Sequence, residues 1–266
     1  MFDSIAGDYD ALNHILSLDV DKIWRKKALK QIVDAPAPVQ VLDLACGTGD
    51  FSIAIAKALS RSHKRVGTPI EAHVKAPAKV PVEAQVTSTG FVTGDSGRSD
   101  LMTKGHVTGV DLSEGMLAVM REKVAKAGLT EMISIEEGDG ENLRFPDNTF
   151  DRVTIAFGIR NFENREKGLR EMLRVLKPGG RLVILELSRP ENKVIRWFYD
   201  LYFLHILPKI GGKVSGDKAA YAYLPASVAA FPGKKAFMAT MREAGFRAVT
   251  HKAFTLGICR MYTGEK

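Results

Sequence analysis

The segment Val41-Leu42-Asp43-Leu44-Ala45-Cys46-Gly47-Thr48-Gly49-Asp50 constrains the fold more than any other. A buried-strand pattern over residues 39–44 gives way within a few positions to a helical pattern over residues 51–59. Gly47 and Gly49 lie in the turn between them, where the lack of a Cβ lets the backbone bend sharply and lets a ligand come close. A strand that passes through a glycine turn into a helix opens a parallel α/β sheet. The rest of the chain keeps that rhythm. Strand patterns recur at 107–110, 133–135, 151–157 and 181–187, and two more fall within 248–254 and 258–263. Helical patterns fill 114–126, with Ser113 as its N-cap, then 165–176, stopped by Pro178-Gly179-Gly180, and 234–244, ended by Gly245. Two helical segments, 5–17 and 19–33, precede the first strand, and Pro36 and Pro38 separate them from it. The expected fold is α/β: a Rossmann-like, seven-stranded, mostly parallel sheet with helices on both faces.

The stretch 61–105 breaks the rhythm. It is rich in Pro, Gly, Ser, Thr and Lys, and structureless loops beyond about 12–15 residues are uncommon inside compact domains. It reads as an insertion, either a flexible loop or a small β-ribbon, with strand-forming residues at 82–92. His63, His73 and His106 lie in or beside it, too widely spaced to suggest a metal site.

Composition narrows the function classes. Of 266 residues, 45% are hydrophobic and 26% charged, and the two cysteines, Cys46 and Cys259, lie in no zinc-like or disulfide-like spacing. No apolar run is long enough for a transmembrane helix, and the opening Met1-Phe2-Asp3-Ser4 has neither the basic region nor the apolar run of a secretory leader. The chain reads as cytoplasmic. Its net charge of +7 comes from scattered residues. Either it solvates the surface, or it draws the protein to an anionic membrane at the inner face, where each well-placed cation contributes about 1 kcal/mol. No nucleic-acid-binding signature is present.

Three acidic positions give the glycine turn a chemical meaning. Asp43 stands four residues before Gly47. The third glycine of a dinucleotide fingerprint is replaced by Ser52, and no P-loop lysine follows Gly49. An acid so placed is typical of S-adenosylmethionine sites, where it lies near the amino-acid end of the cofactor. Asp111, at the end of the second strand, can accept both hydroxyls of a ribose. Glu137-Gly138-Asp139-Gly140-Glu141 follows the third strand, where an acid can accept from the adenine amino group. Any one of these carboxylates alone could be a surface or capping residue, but their joint placement after three successive strands argues for a cofactor site.

Four stretches carry a resemblance. They are Tyr9-Asp10-Ala11-Leu12-Asn13-His14-Ile15-Leu16-Ser17-Leu18-Asp19-Val20-Asp21-Lys22-Ile23-Trp24, Phe145-Pro146-Asp147-Asn148-Thr149-Phe150-Asp151, Ala156-Phe157-Gly158-Ile159-Arg160-Asn161, and Arg174-Val175-Leu176-Lys177-Pro178-Gly179-Gly180 with the strand after it. In these the chain, less the insertion, resembles the UbiE/MenG family of quinone C-methyltransferases. The resemblance implies that residues 1–266 form one class I methyltransferase domain, with an N-terminal helical segment (1–35), the insertion (61–105) and a substrate lid (190–233). It implies S-adenosylmethionine bound through Thr48, Asp111, Asp139 and Gly140, besides the Asp43, Gly47 and Gly49 of the turn, and no metal. It also implies a polyprenylated quinol acceptor, demethylmenaquinol before a ubiquinol precursor, and is compatible with a homodimer and peripheral membrane contact. Three departures stand out: Asp21 where many relatives have His, Ala156 where some have Ser, and the insertion. Met1 reads as an internal methionine of a longer natural chain.

Two residues are candidates for catalysis. A quinol carbon becomes nucleophilic when a ring hydroxyl loses its proton, and a nearby cation favours that anion. Arg160, just after the fourth strand, is expected to supply it, with Asn161 orienting a ring oxygen or a water; the alternative for Arg160 is a salt bridge. The apolar run 197–207 reads as a core helix or as a membrane-facing lid, and Tyr221 and Tyr223 as ring contacts or packing residues. Two other functions remain open on the sequence: methyl transfer to another small acceptor, and a non-catalytic cofactor-binding scaffold of a quinone-biosynthesis complex.

Overall fold

In the computed structural model, residues 19–34, 39–66, 105–202 and 218–266 are described, with backbone alone at 62–66 and 218–222. The expected helix 5–17, most of the first family stretch, residues 67–104 of the insertion, residues 203–207 of the apolar run and the Tyr221 side chain lie outside the described residues.

The elements follow the expected alternation. Helix α1 (Val20–Ile32) precedes β1 (Gln40–Leu44) and α2 (Asp50–Val66); β2 (His106–Asp111), α3 (Glu114–Lys126) and β3 (Ile133–Glu137) follow. Then come β4 (Phe150–Ala156), a 3-10 turn (Ile159–Asn161), α4 (Arg165–Val175) and β5 (Leu176–Leu187). The chain closes with α5 (Lys193–Leu201), α6 (Lys218–Ala230), α7 (Lys234–Glu243), β6 (Arg247–Phe254) and β7 (Cys259–Glu265). Among the described residues the strands form one seven-stranded sheet in the order β3-β2-β1-β4-β5-β7-β6. The first five are parallel, and β7 is antiparallel to both β5 and β6.

Alternating side chains explain the layers. Leu42 and Leu44 of β1 pack into the core on one face with Leu169, Met172 and Phe237 of α4 and α7. Val41 points to the opposite core, with Ile32, Ile55 and Leu117 of α1, α2 and α3. Central strands covered on both faces are near-continuously apolar, which is why β1 is hydrophobic apart from Gln40 at its start and the buried Asp43. Helix α1 docks through Trp24, Ala28 and Ile32, all buried; burying a side chain such as Ile32 contributes roughly 1.5–3 kcal/mol.

Two boundaries differ from expectation. Helix α4 ends at Val175, and β5 starts at Leu176 rather than Arg181, so the Lys177-Pro178-Gly179-Gly180 segment belongs to the strand. Leu176 is already extended (φ −69°, ψ 139°) and pairs with Phe150. Pro178 disfavours helix at the residue before it, and full burial of Leu176 fixes the change. Helix α6 was not expected at all: Pro225 lies inside it, and its run of Ala and Tyr lacks a polar stripe to mark a helical period.

Candidate active site

The strand order reverses direction between β1 and β4, and ligands of open α/β sheets bind at the carboxyl ends of the strands beside such a switch point. The glycine turn lies there. Gly47 (φ 55°) and Gly49 (φ 83°) both take the left-handed conformation. A Cβ on Gly49 would stand 2.4 Å from Met120 Cγ of α3, so glycine is needed for packing as well as for its backbone angle. The Gly47 amide donates to Asp111 Oδ2 at 2.8 Å, and the Ser113 amide donates to Asp111 Oδ1 at 2.9 Å. Asp111 therefore ties the end of β2 to the turn after β1. A carboxylate offers about four acceptor positions, and one at the end of β2 lies where ribose hydroxyls are bound in such folds.

Beside this turn is a cavity of about 350 Å³, within the usual range for small-molecule sites. Asp111, Leu112 and Met116 line one wall, Gly138, Asp139 and Gly140 the far end, and Phe157, Asn161 and Phe162 the opposite wall. A second, smaller recess shares Ala45, Gly47, Ala156 and Phe157 with it and adds Arg25, Asp43 and Thr48. Most of the expected cofactor residues are thus brought together in one continuous groove: Asp43, Gly47 and Thr48 toward the recess, and Asp111, Asp139 and Gly140 in the main cavity. Gly49 lines neither space and acts through the turn.

The far end of the cavity is built tightly. Asp139 Oδ1 accepts from the Glu141 amide at 2.8 Å, which closes the loop after β3. A Cβ on Gly140 would lie 2.6 Å from Phe162 Cζ, and one on Gly168 would lie 2.5 Å from the same ring. Phe162 is therefore held between two glycines, one of them at the cavity floor.

Asp43 has the most perturbed carboxylate near the groove. It is buried, and Ser52 Oγ donates to its Oδ2 at 2.5 Å. Loss of solvent pushes its carboxyl up to about 7, against the opposing pull of Ser52 and the Arg25 guanidinium. Burial likewise pushes the Cys46 thiol well up.

The two residues assigned to catalysis part company. Asn161 lines the main cavity, and its Oδ1 accepts from Tyr223 Oη of α6 at 2.9 Å. Arg160, expected beside a ring oxygen, lines neither space. Its guanidinium is buried and paired with Glu186 Oε1 of β5 at 3.0 Å, and it also donates to the Phe157 carbonyl and, at 3.3 Å, to Ser227 Oγ of α6. Glu186 is fully buried. It also accepts from the amides of Arg160 (3.1 Å) and Leu187 (2.8 Å). The alternative reading of Arg160 as a salt-bridge residue describes what is seen. Asp21 is also buried and 3.4 Å from the Arg25 guanidinium, outside both spaces.

Sequence reasoning missed Arg25, Phe157 and Glu186. Phe157 takes a positive φ of 63° directly after β4, and it stood in a quoted family stretch without a role. Glu186, a lone acid inside the apolar run of β5, carried a signal, because a charge there needs a buried partner. Arg25 stands among four lysines on α1, and no motif in the sequence gives it a role.

Comparisons with known proteins bear on this arrangement. Residues 1–266 match the model of the ubiE/COQ5 methyltransferase family. The chain is 39% identical over 266 residues to a demethylmenaquinone methyltransferase of Bacteroides fragilis, covering all of this chain and 91% of that protein. It is 42% identical to a ubiquinone/menaquinone biosynthesis C-methyltransferase UbiE of Geobacter sulfurreducens, covering all of this chain and 87% of that one. Among solved structures, a SAM-dependent methyltransferase from Aquifex aeolicus aligns with a TM-score of 0.53 at 19% identity, covering 90% of this chain and 88% of that one. Another, from Methanococcus maripaludis, aligns at 0.59 and 16%, covering 100% and 94%. These likenesses place the fold in the Rossmann-like methyltransferase class. With the family match spanning every residue and relatives near 40% identity over the full length, the chain belongs to the ubiE/COQ5 methyltransferase family.

Proposed function

We propose that the protein is an S-adenosylmethionine-dependent C-methyltransferase of menaquinone biosynthesis that converts demethylmenaquinol to menaquinol. The observation that carries the reading is the groove at the switch point, where Asp43, Asp111 and Asp139 stand at the carboxyl ends of three neighbouring parallel strands. The demethylmenaquinone and ubiquinone/menaquinone methyltransferases that align with the whole of this chain point to the acceptor.

The residues present fit the cofactor. Asp111 lines the cavity at the end of β2, where a carboxylate can accept from ribose hydroxyls. The floor at Gly140 is flat because a Cβ there would meet Phe162, which leaves room for a planar base beside Asp139. Thr48 and Asp43 line the recess where the amino-acid end would sit. When bound, S-adenosylmethionine supplies an activated sulfonium methyl.

The protein's part is alignment and charge. Holding a nucleophilic carbon in line with such a methyl can contribute about 7–11 kcal/mol. Asn161 keeps its Oδ1 on Tyr223, so its amide nitrogen is the group left to donate to a ring oxygen and stabilise the quinolate. Arg160 takes a positioning part. Gripped by Glu186, it fixes the Phe157 carbonyl and, through Ser227, ties α6 to the turn that carries Asn161.

The acceptor's prenyl tail needs an apolar surface. Helix α5 exposes Val194, Trp197, Phe198 and Leu201, which share one helical face by their spacing, with Lys193 and Arg196 on the same helix. We assign this face to contact with an anionic membrane surface from which the quinol is drawn. Among the described residues no helix is long and apolar enough to cross a membrane.

The test is radiolabelled methyl transfer from S-adenosylmethionine to demethylmenaquinol and to a demethylated ubiquinol precursor, side by side. The reading expects transfer to the naphthoquinol. Transfer to neither, by a protein that binds the cofactor, would sink it.

A further inference from the structure

We propose that Arg25 is a further cofactor-binding residue, whose guanidinium recognises the carboxylate at the amino-acid end of S-adenosylmethionine. The proposal rests on the reading of the groove as the cofactor site. No motif marks this residue: it lies on α1, before the first strand and outside the βα rhythm that supplies the other candidates.

Helix α1 is held over the glycine turn by the residue next to Arg25. Trp24 Nε1 donates to Thr255 Oγ1 at 2.9 Å, and its ring lies 6.1 Å from that of Phe157. This anchoring sets the Arg25 guanidinium 5.8 Å from the centroid of the Phe157 ring. Phe157 forms wall in both the cavity and the recess. Arg25 thus lines the recess together with Asp43.

The recess offers both signs a zwitterion needs: Arg25 on one hand, and on the other the carboxyls of Asp43 and Asp50, the latter also paired with Lys123. If Asp111 and the loop 138–141 hold the nucleoside, the part of the ligand that crosses Ala45 and Gly47 into the recess is its amino-acid end, with one ammonium and one carboxylate. Asp43 offers an acceptor for the ammonium. Of the described residues lining the recess, Arg25 is the cation.

The guanidinium also has unmet hydrogen-bonding capacity. Of its five donors, Nη1 reaches Asp50 Oδ2 at 3.2 Å and Nη2 reaches Asp21 Oδ2 at 3.4 Å, both long for charged pairs. Nε is buried with no hydrogen-bond partner, and a buried donor left so is costly unless something else satisfies it. Asp50 does not depend on Arg25, because Lys123 Nζ is closely paired with its other oxygen. A ligand carboxylate can therefore draw Arg25 toward itself and leave Asp50 paired.

The experiment uses titration calorimetry on the whole protein, with two ligands that differ in one group. S-adenosylhomocysteine carries the carboxylate; S-adenosyl-3-thiopropylamine has the same nucleoside, thioether and amine and lacks it. Arg25→Gln is expected to weaken S-adenosylhomocysteine by roughly 10- to 100-fold, the range for hydrogen bonds to charged groups. It should change affinity for the decarboxylated analogue by less than about 3-fold. Arg25→Lys should fall between, because an ammonium keeps the charge and loses the fork. The ratio of the two affinities is independent of how much variant is folded. Equal losses on both ligands, or no loss on S-adenosylhomocysteine, would overturn the proposal. Wild-type protein that binds neither ligand would overturn the cofactor reading itself, and the proposal with it.

Discussion

The position of Arg160 yields the sharpest prediction, because two accounts of it diverge. If Arg160 contacts the reacting ring, removing it slows turnover and leaves stability alone. If it belongs to the wall behind the cavity, removing it costs stability first. The structure supports the second account. Arg160 Nη1 is 3.0 Å from Glu186 Oε1, and both side chains are nearly or fully excluded from water, at 7% and 0% exposure. In Arg160→Met the Glu186 carboxylate keeps only two backbone amides. Breaking a buried pair by removing one partner costs about 3–5 kcal/mol, a large share of a total that is typically 5–15 kcal/mol.

Glu186→Gln should also be costly. Oε2 accepts from the Arg160 amide and Oε1 from Arg160 Nη1 and the Leu187 amide. Whichever way the new side-chain amide is turned, its NH₂ faces a donor. The double variant removes both charges, so it should be less damaged than the sum of the singles by roughly 2–3 kcal/mol. Urea unfolding of the four proteins measures this, with methyl transfer assayed at a temperature where all are folded. Strict additivity, or an Arg160→Met variant with wild-type stability and collapsed turnover, would refute the positioning account and return Arg160 to the acceptor.

Four other outcomes are expected. Asp111→Ala should weaken S-adenosylhomocysteine by about 1.5–3 kcal/mol or more, read by calorimetry, with an added loosening of the turn because the Gly47 and Ser113 amides lose their acceptor. Gly140→Ala should also weaken it, by about 1–3 kcal/mol, because Phe162 cannot yield toward Gly168; unchanged affinity would show that this end of the cavity does not hold the base. Burial raises the Asp43 carboxyl to about 7 from about 3.9 in an unfolded chain, so between those values the native state binds a proton that the unfolded state lacks; ligand-free stability should fall as pH rises from about 4 to about 7, by roughly 4 kcal/mol at most, and urea unfolding of Asp43→Asn should lack that component. Replacing residues 67–104 by a short Gly-Ser turn should preserve cofactor binding, and a folded deletion variant that no longer binds would show that the segment supports the site.

The sheet was legible because its signals are local. The central strands β1, β2 and β4 are largely apolar runs closed by a turn, and Gly47, Gly49, Asp111 and Asp139 hold their places through backbone geometry that sequence position alone nearly determines. Position after β4 located the turn carrying Arg160 and Asn161 equally well. It could not say which side of that turn each side chain takes. That depends on Glu186, twenty-six residues further on, and on Ser227 and Tyr223 of a helix hidden by Pro225. The place of Arg25 depends on Trp24 meeting Thr255, 231 positions away. Contacts of that kind leave no period and no spacing to read.

The polarity of the sheet explains how a long inserted stretch of sequence and a tightly built site can share one chain. Along β1 and β2 the register runs from Gln40 beside His106 to Leu44 beside Val110, so the pair has one end at each pole, about 13–17 Å apart at the usual rise per residue. The groove collects the turns that leave the carboxyl ends: residues 45–49, 111–113, 138–141 and 157–162. The segment 67–104 joins the end of α2 to the start of β2, and it therefore returns to the sheet at the amino pole, where Gly105 and His106 meet Val39. Changes in that connection need not move a cavity residue, because rigid, fully buried strands stand between. The connections at the other pole have no such freedom, since there a single methyl group on Gly49, Gly140 or Gly158 would come within 2.4–2.6 Å of a neighbour.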